Sequence, residues 1–320
     1  MHHIAVIGGS GFIGTSLVKT LLAQEHTVRI IDRNPSSAYP ELVHLADVRD
    51  TPALLRACSG CDVIYNLAAE HRDDVRPLSL YHEVNVGGAV NTCEVAATLG
   101  IETIIFTSTV AVYGFPNGEF DENAPPAPFN AYGQSKLEAE QVFEAWAAAE
   151  PGRALTIARP TVVFGPGNRG NVYLLLEQIA RGRAVIIGDG RNRKSMAYVE
   201  NVADLLAYAL AHVGGIQLYN YIDKPDLDMN ALVGTVNRAL GQKRCLRIPY
   251  PLGLAIGRAC DGLARLSRRS LPISSVRVQK YAASTQFAAR RVLESGFQPR
   301  HSLTDALATT VAHEFGPTRA

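Results

Sequence analysis

Tyr132-Gly133-Gln134-Ser135-Lys136 sets a phenol and an ammonium four residues apart, a spacing that places both on one face of a helix. A free tyrosine, with a pKa of about 10, is a poor base near neutrality. A neighbouring ammonium favours its phenolate, so Tyr132 beside Lys136 can take a proton from a hydroxyl as hydride leaves the same carbon. Such pairs also arise by chance on surface helices. This one acquires meaning only if the chain also holds a hydride acceptor.

Gly8-Gly9-Ser10-Gly11-Phe12-Ile13-Gly14 is built for one. Gly8, Gly11 and Gly14 follow an apolar run and open a helical one, the context in which glycines let backbone N–H groups approach a pyrophosphate at a helix N-terminus. Asp32 closes the second apolar run, 18 residues after Gly14. A carboxylate there accepts hydrogen bonds from both adenosine ribose hydroxyls and repels a 2′-phosphate. NAD is therefore expected over NADP, with Arg33 the residue that would accommodate a phosphate. The positive nicotinamide ring would join Lys136 in favouring the phenolate.

These residues need strands and helices to hold them. Ile4–Ile7, Val28–Ile31, Val63–Leu67, Ile101–Thr107 and Leu155–Ala158 read as strands. Helical spacing runs through Phe12–Leu22 and Ala131–Ala149, the latter stopped by Pro151-Gly152. This alternation predicts a parallel sheet with helices on both faces. After Pro160 come loops at Gly165–Gly170 and Gly188–Gly190, a helix over Val199–Leu210 and a strand over Gln217–Ile222.

The glycine spacing and the Tyr132-x-x-x-Lys136 pair together resemble the extended short-chain dehydrogenase/reductase superfamily, the NAD-dependent epimerase/dehydratase group. That resemblance implies a Rossmann-like doubly wound parallel sheet with a smaller C-terminal substrate-binding domain. We divide the chain into an NAD-binding domain, 1–165 plus 195–222, and a substrate domain, 166–194 plus 223–320. Asp47 and Val48 resemble the pair that contacts adenine. Asn66 with Leu67, Ala68 and Ala69 resembles the strand end that lines the cofactor, and Thr107, Tyr132 and Lys136 join that set. Asn85 sits where the family has a helix-supporting asparagine. Within Thr107-Ser108-Thr109-Val110-Ala111-Val112-Tyr113-Gly114 the family's catalytic hydroxyl falls on Thr109, with Ser108 a second donor to the reacting oxygen. Dehydratases carry Asp-Glu after that hydroxyl, and decarboxylating relatives a Glu. Val110 and Ala111 cannot transfer a proton, which leaves epimerisation or simple oxidation–reduction.

More particular stretches narrow the branch. They are Ala69-Glu70-His71-Arg72-Asp73-Asp74-Val75, Phe129-Asn130-Ala131-Tyr132, Asn168-Arg169-Gly170-Asn171-Val172-Tyr173, Lys194-Ser195-Met196-Ala197-Tyr198-Val199 and Tyr219–Leu227. They resemble the bacterial 4-epimerases that interconvert GlcNAc and GalNAc on undecaprenyl pyrophosphate for O-antigen and other surface polysaccharide. By that resemblance Tyr132 deprotonates O4 while C4 gives hydride to NAD. The keto sugar then turns its other face, and hydride returns. In UDP-galactose-type epimerases an Arg-Tyr-Phe-Asn run supplies an amide to the sugar nucleotide. Here the run is Arg159-Pro160-Thr161-Val162, and Lys194 stands where those relatives have a phosphate-binding arginine. Uridine recognition is weakened while a pyrophosphate can still be met by a point charge. Arg169, Asn171 and Lys194 are the substrate candidates, with Glu70 and His71 placed to face the sugar. A soluble UDP-GlcNAc 4-epimerase is the alternative. An NAD-dependent sugar or sterol alcohol dehydrogenase would use the same triad but release NADH. A non-catalytic NAD sensor would not need Tyr132 and Lys136 together.

The 320 residues are 47% apolar and 19% charged, enough to bury a core, with a formal net charge of +1 that argues against a nucleic-acid partner. The charge is unevenly spread. Nine basic residues against the lone Asp261 give Lys243–Lys280 a charge of +8, and the remaining 22 basic and 29 acidic residues give −7. Leu252, Ile256, Ala259, Leu263 and Leu266 follow helical spacing within that segment, with Arg258, Arg265 and Arg269 on another side. A basic amphipathic helix reads as membrane-surface binding, against the alternative of a core helix with a solvated arginine face. No apolar run approaches the ~18–20 residues needed to span a bilayer. The opening Met1-His2-His3-Ile4 leaves no room for a signal peptide. We therefore expect a cytoplasmic enzyme, peripheral on the inner face of the cytoplasmic membrane, with a homodimer permitted. The five cysteines are expected to be free thiols, no metal is expected, and Cys58-x-x-Cys61 reads as structural.

Overall fold

Seven strands, all parallel, form the sheet of the first of two units in the computed structural model. The model describes residues 1–72, 74–115, 118–242, 245–267 and 274–316, with their side chains except at 265–267 and 280. Asp73, Lys243, Arg244, Arg268 and Arg269 thus lie outside the described residues, as do the side chains of Arg265, Leu266 and Lys280. The first unit comprises Met1–Val163, Ala197–Ile222 and Phe287–His301.

Its strands are β1 (His3–Ile7), β2 (Thr27–Asp32), β3 (Val43–Leu45), β4 (Val63–Asn66), β5 (Thr103–Thr107), β6 (Ala154–Pro160) and β7 (Ile216–Tyr221). They lie in the order β7-β6-β5-β4-β1-β2-β3. The connections therefore run outward from β1 to β3, return to β4 and run outward the other way, which opens a crevice beyond the carboxyl ends of β1 and β4. Four helices follow strands in sequence: α1 (Phe12–Ala23), α2 (Thr51–Cys58), α3 (Gly88–Leu99) and α4 (Ala131–Ala149). A fifth spans Val199–Ala211.

Alternation along each buried strand makes two cores. Ile4 and Val6 pack with Leu17, Val18 and Leu21 of α1 and with Val202 and Leu206. Ala5 and Ile7 point the other way, into a cluster with Leu54, Val95, Phe143 and Trp146. The register sets Ile7 opposite both Ile31 and Asn66, so β1, β2 and β4 end level and their following loops meet.

Three segments depart from the expected division: 164–165 and 195–196 fall in the second unit, and 287–301 in the first. Residues 287–301 belong with the first unit, where the sequence division assigned all of 223–320 to the second. The reason is apolar packing: Phe287, Val292 and Phe297 complete the first unit's core, and the Phe287 ring lies 6.1 Å from that of Tyr113. Within the first unit, a widened π-helical stretch at His82–Gly87 leads into α3.

The second unit comprises Phe164–Met196, Asp223–Gln286 and Ser302–Ala320. Its helices Asn171–Ala180, Met229–Ala239 and Leu303–Phe315 pack together. Val185–Ile187 pairs in parallel with Leu246–Ile248, and Arg193–Lys194 antiparallel with Leu227–Asp228. The helix Tyr250–Ser267 lies against Ser275–Ala282.

Candidate active site

The carboxyl edge of the first unit's sheet is where the sequence motifs converge. Beyond β1 the chain turns at Gly8, whose φ is +82°, and a Cβ there would lie 2.6 Å from the Ala68 nitrogen. A Cβ at Gly14 would lie 2.5 Å from the Gly8 oxygen and 2.6 Å from the Gly9 Cα. The loop therefore folds on itself and against the end of β4 in a way no side chain permits. From Gly11, Phe12 and Ile13 onward, α1 opens without a side-chain cap and without an acid in its first turn. Its first amides can serve an anion. Asp32 closes on this loop from β2: its carboxylate accepts the Ser10 N–H at 3.2 Å and the Asn34 N–H at 2.9 Å.

The other cofactor candidates line the same edge. Asp47 is held by Arg49 at 2.7 Å, whose hydrogen bond lowers the carboxyl's pKa, and Val48 is buried against Gly88. Leu67, Ala68 and Ala69 continue β4, half-buried. The Asn66 carboxamide accepts the Ala68 N–H and donates to Thr92.

β5 delivers the hydroxyls. The Thr107 and Ser108 side-chain oxygens are buried without a hydrogen-bond partner among the described residues. A buried hydroxyl left so is costly, and at a sheet's carboxyl edge it is the state of a group that meets a ligand. Thr109 starts a tight turn, its oxygen accepting the Ala111 N–H at 3.1 Å, which leaves its own proton to donate. α4 docks on that turn through Gly133, where a Cβ would lie 2.7 Å from the Ala111 oxygen. Asn130 caps α4 by accepting the Gly133 N–H at 2.8 Å. Tyr132, half-buried in the first turn, is thereby set beside the Thr109 turn.

Asn85 ties this helix to the end of β4. Its amide donates to Ser135 at 2.8 Å and to the Glu70 carbonyl at 3.0 Å, and it accepts the Glu70 N–H at 2.8 Å. Lys136 is 1% exposed, with its ammonium 4.1 Å from the centre of the Phe106 ring. Burial pushes its pKa down to about 7, against the field of Glu140, which favours the charge.

Glu140 belongs to a network that the sequence motifs do not include. It receives Arg159 Nε at 2.9 Å. Arg159 Nη1 donates to the Tyr113 hydroxyl at 2.7 Å, and that hydroxyl donates to Asn220 at 2.9 Å. Burial opposes the charge on Arg159, but Glu140's hydrogen bonds and field outweigh it and hold the guanidinium protonated. The available signal was spacing: Glu140 is four residues after Lys136 and eight after Tyr132, on the same helix face.

The sugar-facing candidates are less concentrated. Glu70 is buried with its carboxylate 3.3 Å from Arg72, whereas His71 is exposed. Arg169, Asn171 and Lys194 belong to the second unit. There Arg169 pairs with Glu314 at 2.7 Å and stacks 4.3 Å from the Tyr173 ring centre. Asn171 opens a helix and is exposed. Lys194 donates to the Ala283 carbonyl and to Thr285, and burial lowers its pKa. Ala283 also lines a cavity of about 400 Å³ with Ile187, Gly188, Asp189 and Tyr250. Elsewhere, Cys58 and Cys61 are buried, which pushes the Cys58 thiol up to about 12 and raises Cys61 too. Neither forms a thiolate readily. Among the described residues no cluster of His, Cys, Asp and Glu is arranged to hold a metal ion.

Known proteins share this chain's sequence family and its fold. The model of the NAD dependent epimerase/dehydratase family matches residues 4–220. The N-acetyl-alpha-D-glucosaminyl-diphospho-ditrans,octacis-undecaprenol 4-epimerase of Escherichia coli O157:H7 is 47% identical over 316 residues, covering 98% of this chain and 95% of that protein. Among solved structures, the UDP-glucuronic acid 4-epimerase of Bacillus cereus in complex with NAD superposes with a TM-score of 0.75 at 20% identity, covering 97% of this chain and 98% of that one. The UDP-N-acetylglucosamine 4-epimerase of Bacillus cereus superposes at 0.77 with 19% identity and the same coverage.

Proposed function

The chain belongs to the NAD-dependent epimerase/dehydratase family, and from that premise we propose that it interconverts GlcNAc and GalNAc while the sugar is carried on undecaprenyl pyrophosphate. It is an isomerase, an NAD-dependent sugar 4-epimerase. The choice of lipid-linked substrate is carried by the 47% identity to the E. coli epimerase, which extends over 98% of the chain and hence through both units.

The first unit's residues have the chemistry for this. The Gly8 loop and the amides from Gly11 to Gly14 hold the pyrophosphate of NAD, and Asp32 receives the adenosine ribose. Asp47 and Val48 meet adenine, while Leu67, Ala68, Ala69 and Thr107 line the path toward the nicotinamide. NAD, when bound, would supply the acceptor and donor for the C4 hydride. Tyr132 takes the O4 proton and gives it back. Lys136 as a cation stabilises the phenolate, and Thr109 and Ser108 donate to the reacting oxygen. Glu70 and His71 face the sugar, and Arg169, Asn171 and Lys194 receive the pyrophosphate.

Because the polyprenyl tail stays in the bilayer, the enzyme works at the inner face of the cytoplasmic membrane. Among the described residues no helix is long and apolar enough to cross it; the attachment we propose is peripheral. The test presents GlcNAc-pyrophosphoryl-undecaprenol and UDP-GlcNAc to the purified enzyme side by side. Conversion of the lipid-linked sugar is expected, and conversion of the nucleotide sugar alone overturns the reading.

The cofactor assignment has its own test. In Gly14→Ala the new methyl meets only backbone, so the loop must shift off the pyrophosphate. Loss of one charge-assisted hydrogen bond of about 1.5–3 kcal/mol corresponds to about 10–100-fold weaker NAD binding, read by fluorescence titration. Unchanged affinity would place the pyrophosphate elsewhere.

A further inference from the structure

The helix Tyr250–Ser267 turns its apolar residues outward. Leu252, Ile256 and Leu263 share one helix face and are 53%, 40% and 57% exposed. Ala255 and Ala259 beside them are exposed as well. The buried face is made of glycine. A Cβ at Gly253 would lie 3.0 Å from an Ile187 methyl, and one at Gly257 would lie 2.8 Å from the Ser275 Cα. The backbone of the Ser275–Ala282 helix approaches so closely that only hydrogen fits, and the larger side chains are left on the other side. This reverses the usual amphipathic arrangement, in which the apolar stripe faces the core. The glycines that weaken the helix by propensity are the contacts that seat it.

The segment's charge is sorted by the same packing. Asp261, its one acid, is drawn inward, where its carboxylate accepts the Ser275 N–H at 3.2 Å and the Ser275 hydroxyl. Arg247, Arg258 and Arg277 are exposed, and so are Leu246, Tyr250 and Val276. Exposed apolar side chains, cations and a tyrosine on this helix and the segments flanking it have the composition of a surface that lies in a lipid headgroup layer.

We propose that this helix docks on an anionic bilayer, with Leu252, Ile256 and Leu263 entering the acyl boundary and Arg247, Arg258 and Arg277 meeting headgroup phosphates. The inference rests on the reading that the substrate is polyprenyl-linked, and it names the element that brings the enzyme to that substrate. Charge favours lipid over a second copy of the chain: a two-fold interface here would set Arg247, Arg258 and Arg277, all exposed, against the same three cations of the other copy. Tyr250, at the start of the helix, also lines the cavity of about 400 Å³ that includes Ala283, the residue holding Lys194. Docking therefore carries that cavity to the lipid surface.

The test is co-sedimentation with vesicles of phosphatidylcholine alone and of phosphatidylcholine with phosphatidylglycerol. The wild-type protein is expected to sediment with the anionic vesicles. The triple variant Leu252→Ser, Ile256→Ser, Leu263→Ser changes only exposed positions, so it should keep its circular dichroism and NAD. Its affinity for anionic vesicles should fall by about tenfold or more. Its turnover of GlcNAc-pyrophosphate on a short, water-soluble alkyl chain should be unchanged. Equal vesicle binding by variant and wild type overturns the proposal. So does a wild-type protein that ignores both vesicles and whose variant passes from dimer to monomer. Failure of the substrate reading shows separately, as wild-type enzyme inactive on detergent-dispersed lipid-linked GlcNAc.

Discussion

Replacing Tyr132 by Phe lowers the rate of epimerisation by about 10³-fold, the middle of the range for loss of a general acid–base group. One oxygen is removed and little else changes. Tyr132 sits half-buried in the first turn of α4, its ring 6.3 Å from that of Tyr81, and a phenyl ring keeps that packing. The helix stays seated because its placement depends on Asn130 and Gly133. NAD should therefore remain bound, and the loss should fall on kcat with KM little changed, the signature of an interaction made in the transition state. Thr109 and Ser108 cannot substitute, since hydroxyls of their acidity donate to the reacting oxygen but do not accept its proton near neutrality. Single-turnover reduction of NAD by the sugar checks the assignment directly. A variant that keeps about a tenth of the activity would move the base elsewhere.

Glu140→Gln should destabilise the protein by about 3 kcal/mol, the lower end of the cost of breaking a buried ion pair. Glu140 is 1% exposed and Arg159 4%, so the guanidinium would keep its charge without its counter-charge. The urea midpoint reads this loss. A second effect is on chemistry. Glu140's field raises the pKa of Lys136, which burial otherwise holds down to about 7 against an ordinary 10.5. Between those values the unfolded chain keeps a proton that the folded chain has lost. The Lys136 contribution to stability therefore rises with pH across that window and is least below about 7. Without Glu140 the folded pKa falls further, and the alkaline limb of kcat moves to lower pH. The double variant Glu140→Leu, Arg159→Met should recover most of the stability and keep the shifted limb. If the limb returns with the stability, Glu140 acts on packing alone.

The sheet and the cofactor loop were legible in the sequence because their causes are local. Short continuous apolar runs alternating with helical stretches allow few arrangements other than a parallel sheet. Gly14 could be read because its exclusion by Gly8 and Gly9 operates within seven residues of chain, whereas what crowds Gly8 is the chain at Leu67 and Ala68. Tyr132 and Lys136 could be paired because the helical repeat alone puts them on one face. The partners of Lys136 were harder. Glu140 is within reach of the same repeat, but Arg159 arrives from β6 and Asn220 from β7, and only the order of strands brings them together. Thr107 and Ser108 stand out in the sequence only through the family resemblance; that their hydroxyls are buried without a partner among the described residues is a property of the packed edge.

The C-terminal third separates the two kinds of knowledge. Residue types and spacing determined by themselves an apolar stripe at helical spacing from Leu252 to Leu266, and a charge of +8 on the surrounding segment against −7 for the rest. They did not determine which way the stripe would face. Periodicity defines an angle around a helix axis but not the direction in which the neighbouring element lies. That direction was decided by the backbone of Ser274 and Ser275 closing on Gly257, a contact across 17 residues that leaves no room for a side chain. Residues 287–301 are a second case: chain position assigned them to the C-terminal domain, but Phe287, Val292 and Phe297 are buried in the first unit's core.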